Sequence, residues 1–375
     1  MIKTKAAVLY KIGLPKPYSS SKPLKIEEVI IDEPGENELI VQVKAAGLCH
    51  SDLSSINGNR PRQTPMVLGH EAAGIVHQIG PGVNDLKIGD HVIMTFAPSC
   101  GKCSSCMEGL PARCGPGQKA NNDGTLLGGS VKLSINGEKC FHHVGVSAFS
   151  EYALVNRGTV VKVDKDLPFE EAALFGCAVL TGVGAALNTA KIHAGASVAV
   201  VGLGGVGLNA LLGAKVAGAT KIVAIDMNED KFDIATELGA TSTQKATNPN
   251  VIDNVKEYTN GGVDYALEMA GSVKAMELAY RITKRGGTTV TAGLPHPDHR
   301  WELQHTNLTA EERTVKGSYM GSCIPNRDVK KYIELYKSGL LNVNKLLSSK
   351  IKLEEINEAF DNLDAGKTIR QIITF

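Results

Sequence analysis

The sequence lacks an excess of charge of either sign. Its 40 Lys and Arg residues nearly balance 39 Asp and Glu residues, which leaves a formal net charge of +1. Proteins that bind nucleic acids or anionic membranes commonly carry a strong basic surplus. The composition therefore favours neither partner, and it suits small neutral ligands better.

Long apolar runs are also scarce. The N-terminal run, residues 6–10, is too short for the core of a signal peptide, so we expect a cytoplasmic protein. Residues 198–214 carry no charge, but five glycines and Asn209 lie among them, which favours a strand, a glycine turn and a buried helix over a membrane span. Without an export signal, the eight cysteines favour metal ligation or free thiols over disulfides.

The 375 residues, 43% of them hydrophobic, are enough for two domains. Up to about residue 160, short strands such as 38–45 and 71–79 alternate with glycine and proline turns and predict a mainly-β region. A helical stretch follows at 169–191. Strand and helix patterns then alternate, which predicts an α/β region with a parallel sheet.

The alternating region and the C-terminal tail can be assigned in outline. The predicted strands are 197–202, 221–226, 263–269, 288–293 and 314–321, and the predicted helices between them are 206–218, 229–239 and 273–283. After residue 321 the alternation stops. Helices near 328–337 and 353–364 and a strand at 368–375 then predict a tail that returns to the first domain.

A GxGxxG pattern lies between the first predicted strand and helix of the alternating region. Gly202 permits a tight turn, Gly204 lets the backbone approach a pyrophosphate, and Gly207 lets the helix pack on its strand. The next strand ends at Asp226, whose carboxylate can accept hydrogen bonds from ribose hydroxyls and would repel a 2′-phosphate. The pattern therefore predicts NAD rather than NADP. Lys231 is a further candidate for the ribose, although a lysine at a helix start is more often solvated.

Four cysteines form a C-x2-C-x2-C-x7-C cluster. They are Cys100, Cys103, Cys106 and Cys114. Four thiolates can close a tetrahedron around zinc and leave no position for a substrate, so this cluster predicts a structural zinc site. Unpaired thiols and an iron–sulfur cluster remain alternatives, although the usual cluster-binding spacings differ.

Two further cysteines lie in short motifs without a neighbour spaced for a local metal clip. Cys49 lies in GLCHSD and Cys177 in LFGCA, while His70 lies in GHEAAG. Three protein ligands plus one open position are what a catalytic zinc needs. Taken singly, however, a buried cysteine is usually a small hydrophobe and a histidine a hydrogen-bonded surface group. The residues alone leave both interpretations open.

The motifs GLCHSD, GHEAAG, the four-cysteine lobe, GLGGVG and the C-terminal GKTIR together resemble the liver-type zinc alcohol dehydrogenases, in order over nearly the whole chain. The resemblance implies a GroES-like barrel catalytic domain, residues 1–178 and 322–375, with an inserted Rossmann domain, residues 179–321. It also implies two Zn²⁺ per chain, NAD, and a homodimer formed through sheet edges near 314–321. The implied reaction interconverts primary or secondary alcohols, aliphatic or aromatic, with aldehydes or ketones.

The resemblance also implies a role for individual residues. The catalytic zinc would be bound by Cys49, His70 and Cys177, with Glu71 behind it, Asp52 orienting His70 and Ser51 accepting the alcohol proton. The cofactor would be contacted by His50, Thr181, Val206, Arg370 and the glycine motif including Gly205, and Phe96 would form part of the substrate wall.

The chain departs from the liver-type pattern at Ser54. Many members have a histidine there, three residues beyond the relay hydroxyl, and a serine cannot serve as the terminal base near pH 7. We therefore expect the proton to leave through water or through a group such as His50. The paired His142 and His143 have no convincing ligand spacing, and a solvated or turn position is expected for both.

Two alternative functions remain open at this point. Glutathione-dependent formaldehyde dehydrogenases are similar, but they have an arginine shortly after the fourth cysteine, where residues 115–120 of this chain contain only Lys119 as a basic residue. A zinc and dinucleotide binding protein without turnover is the second alternative. Such proteins usually lack the catalytic metal ligands that this chain retains.

Overall fold

The computed structural model describes residues 1–375. The strands, β1 to β18 in chain order, are Ile2–Leu9, Leu24–Ile31, Glu38–Gly47, Met66–Val67, Ala72–Ile79, His91–Met94, Leu133–Ile135, Glu138–His142, Tyr152–Asn156, Val160–Val163, Ser197–Val201, Lys221–Asp226, Ser242–Lys245, Val263–Glu268, Thr283–Thr291, Thr314–Gly317, Leu347–Ile351 and Arg370–Thr374. The α-helices, α1 to α13, are Tyr18–Ser21, His50–Ile56, Ser104–Met107, Gly115–Asp123, Phe169–Leu174, Ala178–Gly184, Gly205–Val216, Phe232–Leu238, Val251–Thr259, Val273–Ile282, His305–Ala310, Pro325–Lys337 and Ile356–Asp364.

The chain forms two compact units, the first of which comprises Met1–Cys177, Ile324–Lys331 and Asn344–Phe375. In this unit β1, β2, β7, β8 and β4 close a small barrel. A seven-stranded sheet runs in the order β10-β6-β5-β3-β18-β17, and β9 also pairs with β3. Alternate residues of β3, such as Leu39 and Val41, pack with Phe149 and Phe360 in the core.

The second unit comprises Ala178–Cys323 and Tyr332–Val343. Its six strands are all parallel, in the order β13-β12-β11-β14-β15-β16. Since β11 comes first in the chain and lies between β12 and β14, the strand order reverses beside it, and such switch points are where α/β sheets bind ligands. The predicted fold class, a mainly-β GroES-like region with a doubly wound parallel sheet, is confirmed.

The predicted helix 169–191 is interrupted in the structure. Helix α5 ends at Leu174, α6 begins at Ala178, and a π-helical turn, Ala185–Ala190, follows α6. A Cβ on Gly176 would lie 2.4 Å from the carbonyl oxygen of Met94, so the backbone of the interruption lies directly against β6. The interruption contains Cys177.

Other elements differ from the predictions in smaller ways. Strand β13 and helix α9 were not predicted. The strand has a polar sequence without apolar alternation, and α9 is a short amphipathic helix whose Val251 and Val255 pack in the core. Four short helices, α1 to α4, interrupt the predicted mainly-β region. Residues 332–343, assigned to the first domain in the sequence-based division, belong to the second compact unit. None of the helices combines the length and apolar composition that a membrane span requires.

Candidate active site

Four buried side chains converge in the first unit. The ligand atoms of Cys49, His70, Glu71 and Cys177 all lie within 4.8 Å of one another. They come from three segments that are distant in sequence: the start of α2, the residues just before β5, and the interruption after α5. The fold thus brings together the three predicted ligands and the glutamate predicted to lie behind them.

Local backbone geometry places each of these groups. Cys49 is the extended N-cap residue of α2, and its N–H donates to Asp52 Oδ2 over 3.2 Å, which begins the helix at this point. Gly69 has φ +95°, and a Cβ there would lie 2.5 Å from the Phe149 nitrogen. Only glycine therefore allows the close approach that directs the following His70 into the cluster.

The ring of His70 is fixed by one hydrogen bond. Its Nδ1 lies 2.9 Å from Asp52 Oδ1, and both side chains are buried. Because the ionised carboxylate can only accept, Nδ1 carries the proton and Nε2 presents its lone pair. This Nε2 is buried and has no hydrogen-bond partner. An unpaired imidazole lone pair beside two thiols is a donor set that suits zinc.

Charges around the cluster favour the metal-binding thiolate at Cys49, whereas the hydrogen bond to Cys49 and burial raise the pKa of Cys177. A hydrogen bond from the Cys177 thiol, aided by the nearby Arg370 guanidinium, holds the pKa of Cys49 well below its usual range. Burial raises the pKa of Glu71 to about 7. Arg370, itself buried, lies 3.5 Å from Glu71 Oε2 and donates to the Leu48 carbonyl over 3.0 Å. Its predicted pyrophosphate contact stays a prediction.

The four-cysteine cluster is also assembled in the first unit, with all four sulfur atoms within 4.8 Å of one another. Backbone N–H groups point at these sulfurs: Cys100 and Gly117 donate to Cys114 Sγ over 3.3 and 3.4 Å. The Cys106 backbone N–H lowers the pKa of Cys103 to about 6, which favours a thiolate. All eight cysteines of the chain are free thiols. This arrangement suits a closed zinc site.

The glycine motif lies in the second unit, at the carboxyl end of β11. A Cβ on Gly207 would lie 1.7 Å from the Gly202 carbonyl oxygen, so the turn cannot accept a side chain there. Asp226 ends β12, where its Oδ2 accepts from Leu203 N over 2.6 Å and its Oδ1 from Asn228 N over 2.9 Å. Lys231 Nζ lies 3.5 Å from Asp226 Oδ2. The predicted ribose-binding carboxylate is thus held by backbone N–H groups beside the turn that is predicted to bind phosphate.

Two protein families and a curated relative match this chain. The alcohol dehydrogenase GroES-like domain family matches residues 35–165, and the zinc-binding dehydrogenase family matches residues 205–338. Alcohol dehydrogenase class-P of Arabidopsis thaliana is 38% identical over 383 aligned residues, which span 100% of this chain and 98% of the plant protein. This chain belongs to the zinc-dependent alcohol dehydrogenase family.

Two solved structures are similar to this alcohol dehydrogenase over its whole length. Benzyl alcohol dehydrogenase from Acinetobacter calcoaceticus has a TM-score of 0.93 at 32% identity, covering 100% of both chains. An alcohol dehydrogenase zinc-binding domain protein from Burkholderia ambifaria has a TM-score of 0.94 at 33% identity, covering 100% of this chain and 99% of the other. The protein is accordingly a zinc-dependent oxidoreductase that interconverts alcohols and carbonyl compounds with a nicotinamide cofactor.

The predicted proton-relay and pocket residues of the dehydrogenase lie near the cluster. Ser51 Oγ is 3.9 Å from Cys49 Sγ. The Phe96 ring meets the His70 ring edge-on, with 5.7 Å between their centroids. Ser54 Oγ donates to the His50 carbonyl over 2.8 Å on the exposed side of α2, so this hydroxyl is engaged by its own helix.

Thr181 and Val206 lie in the second unit, Thr181 on α6 and Val206 in the first turn of α7. Thr181 is buried, and Val206 is half-buried at the helix end that faces the glycine turn. Their position beside the nicotinamide stays a prediction.

Sequence reasoning missed one group in the alcohol dehydrogenase site. His142 and His143, expected to be solvated or in a turn, are both buried, with 0% and 2% exposure. His143 belongs with Asp52 and His70 in a third group of clustered polar side chains. The apolar residues that flank the pair, Phe141 and Val144, were the available indication of burial.

Proposed function

We propose that this alcohol dehydrogenase uses NAD and binds two zinc ions per chain. Cys49, His70 and Cys177 would bind the catalytic ion, and the four-cysteine cluster would bind a structural ion. The buried, unpartnered Nε2 of His70 beside two thiols is the observation that carries the proposal. A buried polar atom without a partner is costly, and a metal ligand bond would satisfy it.

A catalytic zinc ion, when bound, would polarise the oxygen of an alcohol or carbonyl substrate. The protein groups prepare this step. Asp52 keeps the His70 proton on Nδ1, so that Nε2 is available as a ligand. Phe96 places an apolar ring edge-on against His70. Glu71 and Arg370 form a buried pair behind the thiols that balances the local charge.

Proton removal is assigned to Ser51, whose hydroxyl oxygen lies 3.9 Å from the Cys49 sulfur. A serine hydroxyl cannot hold a second proton near pH 7, so as it accepts the proton of the alcohol it must donate its own proton to a further acceptor. Three residues further along α2, the Ser54 hydroxyl donates to the His50 carbonyl and offers no base. We therefore propose that the proton leaves through water or through His50, which is exposed at the start of the helix.

The preference for NAD rests on Asp226. This carboxylate lies at the carboxyl end of β12 and accepts hydrogen bonds from two backbone N–H groups. A ribose hydroxyl of NAD would also donate to it. The N-terminus of α7, at Gly205, would supply backbone N–H groups to the pyrophosphate. Thr181 and Val206 are proposed to contact the nicotinamide, and Lys231 the ribose.

The proposal is tested by metal analysis and by kinetics. We expect two zinc ions per chain after extensive dialysis, and NAD reduction with aliphatic and benzylic alcohols measured by NADH absorbance. The NADP rate should be much lower at equal cofactor concentration. One zinc ion per chain, or equal use of NADP, would contradict the respective part of the proposal.

Glutathione-dependent formaldehyde oxidation is the second candidate activity. Lys119, the only basic residue between 115 and 120, is paired with Asp123 on α4 and is therefore a poor anchor for a glutathione carboxylate. We expect formaldehyde oxidation to be the same with and without glutathione. A strong stimulation by glutathione would favour this second activity.

We further propose a homodimer. Strand β16 is the edge strand of the six-stranded sheet, and an edge strand can pair with the same strand of a second copy. Sedimentation equilibrium should give twice the chain mass of 39.7 kDa. We place the protein in the reducing cytoplasm, since both cysteine clusters require free thiols.

A further inference from the structure

Asp52, the partner of the ligand His70, faces a second imidazole. Its Oδ1 lies 2.9 Å from His70 Nδ1 and 3.4 Å from His143 Nδ1. Asp52 is fully buried and His143 is 2% exposed, so no bulk water competes for this oxygen. The other oxygen, Oδ2, accepts a hydrogen bond from the Cys49 N–H over 3.2 Å. A buried carboxylate gains from every donor that reaches it.

The opposite end of the His143 ring is also engaged. Its Nε2 lies 3.4 Å from the hydroxyl of Ser55, a buried residue one turn after Asp52 on α2. The ring therefore spans two positions, i and i+3, on one face of the helix. The His143 backbone N–H donates to Ser147 Oγ over 2.8 Å, which fixes the loop that carries the ring.

These contacts decide the tautomer of His143. If Nε2 carried the proton, the Nδ1 lone pair would face the Asp52 carboxylate at 3.4 Å, and the two would repel. If Nδ1 carries the proton, it points at Asp52, and the Ser55 hydroxyl can donate to Nε2. In the second arrangement Nε2 is paired with Ser55, and the Nδ1 proton faces the Asp52 carboxylate at 3.4 Å, just outside hydrogen-bond geometry. A shift of a few tenths of an ångström brings Nδ1 within ordinary hydrogen-bond distance of Oδ1.

We infer that His143 is a positioning residue of the zinc site, which holds Asp52 in the orientation that directs His70 Nε2 at the metal. The inference rests on the proposed zinc site. Asp52 bonded to His70 alone could rotate about its side-chain torsions together with the imidazole. A second donor on the same oxygen fixes the carboxylate, and through it the ligand ring. Partners behind metal ligands commonly change metal affinity or activity by about 10- to 100-fold.

A matched pair of variants distinguishes the contribution of His143 Nδ1 from that of Nε2. In His143→Asn the amide nitrogen can take the place of Nδ1 and keep the donor to Asp52. In His143→Gln the longer amide reaches the place of Nε2 and leaves Asp52 without this donor. The main measurement is the rate of zinc release to a chromophoric chelator. The phase that is absent in Cys177→Ser is the release of zinc from the catalytic site. The visible spectrum of the cobalt(II)-substituted enzyme is the second.

We expect His143→Gln to release the catalytic zinc about tenfold faster or more and to shift the cobalt bands. His143→Asn should stay close to the parent in both measurements, and the phase from the four-cysteine cluster should be unchanged in both variants. Equal release from the two variants, whether accelerated or not, would overturn the inference. A parent protein with only one zinc ion per chain would overturn the proposed function itself, so the two failures are distinguishable.

Discussion

Replacing Asp226 by Asn should shift the cofactor preference towards NADP. The change keeps the size of the side chain and leaves an amide oxygen to accept from Leu203 N, which the carboxylate now does over 2.6 Å. It removes one negative charge from the position where a 2′-phosphate would lie. Lys231, 3.5 Å from the carboxylate, would then be available to meet that phosphate.

The size of the effect follows from the charges. Two unit charges about 6 Å apart interact with about 3 kcal/mol at an effective dielectric constant of about 20. Water and salt around an exposed 2′-phosphate reduce this to about 2 kcal/mol. The same substitution weakens the charge-assisted hydrogen bond to the NAD ribose by about 1 kcal/mol. Together these terms predict that the NAD-to-NADP ratio of kcat/KM falls by about 100-fold.

The control is Glu229→Gln, which makes the same charge change on the following turn. Glu229 is paired with Lys245 over 2.8 Å and more than half exposed, so its effect on the ratio should stay within about twofold. Initial rates with each cofactor at fixed alcohol concentration give the ratios. A ratio that Asp226→Asn leaves unchanged, or that Glu229→Gln lowers equally, would refute the assignment of Asp226.

Three further outcomes are expected. Ser54→His should raise the rate of alcohol oxidation at pH 7 by about tenfold, because an imidazole can accept the relayed proton, whereas the control Ser54→Asn should leave the rate unchanged. Equal pH–rate profiles of the parent and Ser54→His would count against the relay. Cys103→Ala should lose one zinc ion per chain and unfold at a lower temperature, whereas Cys140→Ala, at a buried cysteine outside the cluster, should retain both ions. Metal analysis and calorimetry measure these effects, and two zinc ions per chain in Cys103→Ala would contradict the prediction. His142 accepts from the Lys132 N–H, and burial lowers its pKa to about 3, so it stays neutral in the fold. The contribution of neutral His142 to the free energy of unfolding is present above about pH 6.5 and is lost as the pH falls, by up to about 1.4 kcal/mol per pH unit. In urea unfolding at several pH values, His142→Asn should make the free energy of unfolding less dependent on pH. An unchanged pH dependence in this variant would contradict the prediction.

Local patterns were sufficient for much of the fold. The apolar alternation of β3 and β5 and the strand-glycine-helix pattern around Gly202 are properties of short segments, and they appear in the structure near the predicted bounds. The four-cysteine cluster was equally local, since its members lie within fifteen residues of each other. The interruption at Cys177 was not predictable, because it depends on a close approach of Gly176 to the distant Met94 carbonyl.

The sequence by itself determined most of the strands, helices and glycine turns, and which short motifs carry thiols, imidazoles and carboxylates, because these are matters of local spacing. Only the tertiary structure decided that Cys49, His70 and Cys177 meet, that His70 Nε2 is left without a partner, and that His143 is buried against Asp52. Those relations join residues from separate segments. They arise from chain reversals and packing, and no spacing along the sequence encodes them.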